Sequence, residues 1–462
     1  MQGKHFGSIT LLCALLLGEI PVPAAAQIGA SEYEGAAALG LALRRLGTTK
    51  RVLMIGAHPD DENTALLSTL ALKQGADVAY LSLTRGEGGQ NLLGPELGEP
   101  LGLIRSEELL AARRMDGARQ FFTRAYEFGF SKSAEETFRH WPRDSVLSDV
   151  VGVIRAFRPQ VVVTIFTGTP RDGHGHHQAA GILAREAYAA AGDPARFPEQ
   201  LRRGLKPYAP QALYQALWGP SEEGHLVPTG ELDPLLGRSY HQVAMASRSR
   251  HRSQDMGRAQ LPGPQFSRVE RIAPVPQGGN GAQAAEGSSF FQGIDTTLAA
   301  RARGPEVTML AAFDARVARL RQEFNPLSPG ALIPSLVEAL GMLHHADSLL
   351  EGAPGTESSE LRFLLAAEIA AAQEALARAA GVVLDGVAGD ERVVAGQTFP
   401  LELTLWNGGD RPVRVAALAP RLPAGWRATP ADTLPSAPLA PGTLLTRRFT
   451  VQLPPDAPST EP

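Results

Sequence analysis

Three short apolar runs constrain this chain most: Arg51-Val52-Leu53-Met54-Ile55-Gly56, Asp77-Val78-Ala79-Tyr80-Leu81-Ser82-Leu83-Thr84 and Pro159-Gln160-Val161-Val162-Val163-Thr164-Ile165-Phe166. Each is largely aliphatic without strict alternation, which is how a strand buried on both faces reads. Helical spacing fills the intervals. Leu66, Leu67, Leu70 and Leu72 predict a helix from Thr64 to Gln74 ending at Gly75, and a further helix is expected from Ser148 to Phe157. Ala36, Leu39, Leu43 and Leu46 predict a helix leading into the first strand. Strand, helix, strand predicts an α/β fold: a Rossmann-like, mostly parallel sheet with helices on both faces. Ligands bind such sheets beyond the C-terminal strand ends, and there the sequence places its polar clusters. Ala57-His58-Pro59-Asp60-Asp61-Glu62 follows the first run, Arg85-Gly86-Glu87-Gly88-Gly89-Gln90-Asn91 the second, and His174-Gly175-His176-His177 comes after the third.

At 462 residues, 44% hydrophobic and 20% charged, the chain can bury real cores in two or three domains. A net charge of −4 and the lack of a Lys/Arg run leave no footprint for nucleic acid, so the expected partner is a small molecule or glycan. Residues 1–26 read as a signal peptide, with Lys4, an apolar core from Ile9 to Leu17 and small residues up to Ala26. That core is far short of the roughly 20 residues a membrane span needs. A secreted or periplasmic protein with no membrane span after cleavage is therefore expected. The one cysteine, Cys13, lies inside this segment. Disulfides and thiolate chemistry are then excluded from the mature chain, and any metal must be held by His, Asp or Glu.

The α/β domain is expected over 31–265. Residues 266–297 read as a flexible connecting loop, richest in Gly, Gln and Ala from Pro274 to Ser289. A helical region follows over 298–381, broken at Pro326–Gly330 and Gly352–Gly355. From Val382 to Pro462 the composition turns to Val, Thr, Pro and Gly, and alternation in Phe399–Trp406 and Arg447–Leu453 predicts the start of an immunoglobulin-like β-sandwich. The Pro-rich stretch around Pro462 leads us to expect a module cut short. Nothing in the sequence sets an oligomeric state.

The polar loop after the second run has neither P-loop nor dinucleotide spacing, and Glu87 would oppose an anion, so it reads as substrate-facing. Four motifs in one order carry a resemblance: Ala57–Glu62, the Thr84–Glu87 loop, Arg105-Ser106-Glu107-Glu108, and the pair His174 and His177. Over roughly Lys50 to Gln254 the chain resembles the PIG-L/LmbE family of zinc-dependent N-acetylglucosaminyl deacetylases. The resemblance implies Zn2+ held by His58, Asp61 and His177, with Asp60 as general base, or else a second ligand or helix cap. Two histidines and one carboxylate leave positions open, as a catalytic zinc requires. His174 is implied as an imidazolium that steadies the oxyanion and protonates the leaving amine. The family pattern His-Pro-Asp-His is here His174-Gly175-His176-His177, so His176 competes as a ligand. Arg105 is implied as a substrate contact, against a salt bridge with Glu108. Glu62 reads as a supporting carboxylate. His251 either orients an inner residue or lies on a helix surface.

The implied activity is N-deacetylation of an amino sugar or glycoconjugate. Hydrolysis of a non-sugar amide or ester, and a catalytically silent binding module, remain as alternatives.

Overall fold

Strand β1 (Arg51–Gly56) is buried along its whole length in the computed structural model, which describes residues 32–218, 224–273, 290–351, 355–390 and 392–458. Both the predicted signal peptide, 1–26, and the stretch 274–289 lie outside the described residues. The side chains of β1 alternate: Leu53 and Ile55 enter one apolar core, Val52 and Met54 the other. On one side β1 pairs parallel with β2 (Asp77–Ser82), which pairs parallel with β3 (Arg119–Phe122). On its other side stands β4 (Val161–Thr164), followed by β5 (Ala212–Leu217), again parallel. The order of growth thus reverses between β1 and β4. Such a switch point opens a crevice at the C-terminal strand ends.

Helices cover both faces. α1 (Gly35–Arg45) precedes β1, and α2 (Thr64–Ser68) continues as a π-helical turn over Thr69–Lys73, within the span read from the sequence. Leu66, Leu67 and Leu70 from this segment and Leu109 from α3 (Glu99–Asp116) pack on the Val52 face. The Leu53 face is covered after α4 (Ala134–His140), by α5 (Arg143–Phe157) and α6 (Gly175–Ala190). Ala179, Ala180, Ala184 and Ala187 make the inner face of α6 nearly all alanine, so its backbone sits close to the sheet. A short α7 (Pro198–Arg202) leads toward β5.

The structure corrects the expected boundary at 265. After β6 (His225–Pro228), a small ribbon of β7 (Leu232–Asp233) and β8 (Arg238–Ser239), and α8 (Tyr240–Arg248), the chain forms β9 (Phe266–Ala273). This strand lies antiparallel between β5 and β6, in the sheet order β3-β2-β1-β4-β5-β9-β6. Ser267 and Val269 point inward while Arg268 and Glu270 interrupt the apolar run, so the strand is held by distant partners rather than by a local hydrophobic signal. Phe290, Phe291 and Ile294 also pack on the Val52 face.

Beyond them come α9 (Glu306–Glu323), α10 (Ile333–Leu349) and α11 (Thr356–Ala379). Arg158 pairs with Glu360 at 2.5 Å, and the Arg51 guanidinium lies 4.6 Å from the Phe363 ring centre. A second unit contains an antiparallel sheet of β10 (Val382–Ala388), β11 (Thr398–Asn407), β12 (Arg427–Pro430) and β13 (Leu444–Gln452), ordered β10-β11-β13-β12. Phe399, Phe449, Val451 and Leu453 form its core, consistent with a β-sandwich module. Among the described residues no helix is long and apolar enough to cross a membrane.

Candidate active site

The turn after β1 is held from every side. Asp60 has φ +95°, in the left-handed region that costs a residue with a side chain about 1–3 kcal/mol. Such a conformation persists only where its surroundings fix it. Asp61 Oδ2 accepts the backbone N–H groups of Ala57 at 2.9 Å and His58 at 2.7 Å. Glu62 Oε2 accepts that of Asp60 at 2.9 Å, and the Tyr80 hydroxyl donates to the His58 carbonyl at 2.6 Å. Arg105 Nη2 donates to the Pro59 carbonyl at 2.7 Å, and Arg248 Nη1 to the Asp60 carbonyl at 3.0 Å.

Because β1 and β4 are paired neighbours, the two histidine-bearing segments meet. His58 Nδ1 lies 3.4 Å from Asp61 Oδ2, and His177 Nε2 lies 3.5 Å from Asp61 Oδ1. Donor atoms of these three residues fall within 4.8 Å of one another. Nitrogen and oxygen donors about 2.0–2.2 Å from one tetrahedral ion stand about 3.4 Å apart, so the separation of each histidine from the carboxylate is of the size a shared metal ion would set. His177 is oriented by Phe166, stacked at 4.0 Å and 8°, while its Nδ1 lies 3.3 Å from the Asp172 carbonyl. Burial alone would raise the Asp61 pKa, but His177 and His58 outweigh it and hold the carboxyl at about 2. Asp61 is therefore an anion ready to ligate.

The second cluster opens α6. His174 is the N-cap, and its Nδ1 accepts the backbone N–H of His176 at 3.1 Å. Its proton therefore sits on Nε2. Burial, then His58 and His177, push the His174 pKa down to about 4. Where the resemblance implied an imidazolium, the hydrogen bond accepted at Nδ1 leaves the ring one N–H, on Nε2, to donate. His176 is fully buried, stacked on Trp141 at 4.7 Å, with Nδ1 3.1 Å from His58 Nε2. It does not join Asp61 and His177. It belongs instead to a second donor group with His58, Glu127 and His174 on the opposite edge of the His58 ring.

Asp60 lies beside these sets, and burial pushes its carboxyl up to about 6, although Arg105 opposes the shift. Arg105 is 3% exposed, and it does not pair with Glu108, which takes the N–H and hydroxyl of Ser253 at 2.7 Å each. Its guanidinium joins the Gly86 carbonyl at 3.1 Å to the Pro59 carbonyl and stands 3.4 Å from Asp60 Oδ2. It is a strut between two loops before it is a surface for substrate. Gly86, at φ +76°, leaves no room for a Cβ against it. Glu62 is fully buried, as is His251, whose Nε2 lies 2.9 Å from Glu62 Oε1. His251 thus orients an inner carboxylate rather than lining a helix surface. Glu127, Arg248 and Tyr80 were not singled out from sequence. Each acts through contacts more than twenty residues distant, and only the placement of Tyr80 inside a buried strand offered a signal.

A family profile described as "PIG-L: GlcNAc-PI de-N-acetylase" matches residues 53–188, and one described as "NPCBM-associated, NEW3 domain of alpha-galactosidase" matches 393–461. A diacetylchitobiose deacetylase of Thermococcus kodakarensis is 35% identical over 166 residues, covering 36% of this chain and 58% of the relative. A 1D-myo-inositol 2-acetamido-2-deoxy-alpha-D-glucopyranoside deacetylase 2 of Saccharopolyspora erythraea is 30% identical over 227 residues, covering 44% of this chain and 82% of the relative. A 1D-myo-inositol 2-acetamido-2-deoxy-alpha-D-glucopyranoside deacetylase of Geodermatophilus obscurus is 32% identical over 168 residues, covering 33% of this chain and 57% of the relative.

Proposed function

Because the chain belongs to the PIG-L family, we propose that it is a zinc-dependent hydrolase that removes the acetyl group from an N-acetylated amino sugar or glycoconjugate. The observation that carries this reading is the meeting of His58, Asp61 and His177 at the switch point between β1 and β4, with Asp60 beside them. A zinc ion held by these three side chains would supply Lewis acidity to the amide carbonyl and make water a nucleophile near neutral pH.

The other steps fall to the chain's own groups. Asp60 is mostly ionised at neutral pH, yet its raised pKa makes it a competent acceptor for the proton released by the attacking water. His174 offers its Nε2–H to the carbonyl oxygen as charge gathers there. The proton held by Asp60 then passes to the departing amine as the C–N bond breaks. Phe130, 74% exposed with its ring 5.1 Å from that of His174, offers an apolar face to a sugar ring.

A glycan substrate also suits a neighbouring module of the type described for α-galactosidase. The N-terminal segment, with Lys4 and the apolar run from Ile9 to Leu17, supports export.

The test is acetate release by purified protein from diacetylchitobiose, N-acetylglucosaminyl inositol and simple non-sugar amides. Assays run before and after chelation and on zinc return. Zinc-restored turnover of the sugars alone supports the reading. Turnover of non-sugar amides alone, or activity indifferent to chelation, contradicts it.

A further inference from the structure

We infer that His176 is a positioning residue: it fixes which nitrogen of His58 faces the metal site and is not itself a ligand. The inference rests on the zinc reading above. His58 presents Nδ1 toward Asp61, at 3.4 Å, and Nε2 toward His176 Nδ1, at 3.1 Å. A histidine that ligates through one nitrogen carries its proton on the other, and that N–H normally meets an acceptor which holds the tautomer. Here the acceptor is a second imidazole.

The sense of this hydrogen bond decides whether the site can load. If His58 Nε2–H donates to His176 Nδ1, the His58 Nδ1 lone pair is free to ligate beside Asp61. If His176 donates instead, the His58 proton moves to Nδ1 and blocks it. In the first arrangement the remaining proton of His176 sits on Nε2, which is buried and has no hydrogen-bond partner among the described residues. The ring cannot turn away. It is stacked on Trp141 at 28°, meets Phe128 edge-on at 4.5 Å, and is 0% exposed, so no water competes for Nδ1. Trp141 is itself anchored by its indole N–H on the Tyr126 carbonyl at 2.8 Å.

The rival is ligation by His176 within the second donor group, since two nitrogens 3.1 Å apart could also share one ion. Both groups draw on His58. Serving both at once would require that imidazole to lose its second proton. Glu127, the carboxylate of the second group, also lies 3.8 Å from the Arg105 guanidinium, which would repel a cation.

The experiment compares wild type, His176→Gln, which keeps a neutral acceptor, His176→Leu, which keeps bulk without one, and His177→Ala. Zinc stoichiometry and affinity are measured against a chromophoric chelator. In cobalt-substituted protein, the exchangeable ring N–H of His58 is followed by paramagnetic NMR. The structure predicts one zinc per chain, near wild-type affinity in His176→Gln, and about 10- to 100-fold weaker binding in His176→Leu. The His58 N–H signal should persist in the glutamine variant and exchange faster in the leucine variant. Unchanged affinity in both variants overturns the inference, as does loss of zinc from both to the level of His177→Ala. A second zinc in wild type that both variants lose also overturns it, by making His176 a ligand. A wild type that binds no zinc overturns the metal reading itself and is told apart by that control.

Discussion

Glu62 accepts the backbone N–H of Asp60 at 2.9 Å from a position wholly closed to solvent. Its other oxygen lies 2.9 Å from both Arg113 Nη2 and His251 Nε2. Burial alone would raise its pKa, but Arg113 and His251 hold it well below the usual carboxylate range. A fixed anion therefore clamps the left-handed backbone of Asp60.

Replacing Glu62 with Gln keeps the shape and removes the charge. The variant should lose about 3 kcal/mol of stability, because Arg113 and His251 keep a buried neighbour that no longer balances them. Turnover should fall about 10- to 100-fold. Thermal unfolding and acetate release measure the two effects. An unchanged melting temperature would show that the clamp is not structural.

The strand ends and the His58–Asp61 pair were legible in the sequence because their signals are local: unbroken apolar runs and close spacing around one turn. His177 was legible as a partner only through motif order, and its distance from Asp61 depends on the pairing of β1 with β4. β9 was not legible. Its alternating Ser267, Arg268, Val269 and Glu270 become a strand only between β5 and β6. Glu127 and Arg248 gave no signal for a related reason: neither belongs to a pattern, and each gains its role from chain folded back from afar. The hydrogen bond that His174 Nδ1 accepts from the His176 N–H was not legible either, because it follows from the place of His174 as the N-cap of α6.

Gly86→Ala tests Arg105 as a strut. The new methyl group would collide with the guanidinium and sit at φ +76°. That backbone conformation costs an alanine about 1–2 kcal/mol before any collision. Stability should fall by at least this amount, and turnover should fall with it as Arg105 is displaced from Pro59 and Asp60. Wild-type turnover in a folded Gly86→Ala protein would remove Arg105 from the account of the turn.

Phe130→Ala should leave folding intact, since the ring is largely exposed. Losing a stacking face worth about 0.5–1.5 kcal/mol should raise KM for an N-acetylated sugar by about 3- to 10-fold, with kcat little changed. Steady-state kinetics on the sugar and on a small acyclic amide would separate a sugar platform from general packing. An equal change for both substrates argues against the platform.

Glu368 predicts a pH effect away from the site. Burial raises its pKa from 4.5 to about 7, although the backbone N–H of Gly47, at 2.8 Å, opposes the shift. The folded state therefore holds this proton more tightly than the unfolded chain. Its contribution is full below about pH 4.5 and is lost as pH rises through about 7. Glu368→Gln should remove that loss and stabilise the protein at pH 8 by up to about 3 kcal/mol, with much less gain at pH 5. Denaturant titrations at both pH values test this; equal effects at pH 5 and pH 8 would contradict it.

In the proposed mechanism Asp60 takes the proton while His58, Asp61 and His177 hold the metal. Zinc content and acetate release measured together on Asp60→Asn test it most directly. The variant should hold one zinc per chain, as in wild type, and turn over about 10²- to 10⁴-fold more slowly. Wild-type turnover in a fully loaded Asp60→Asn protein would contradict it.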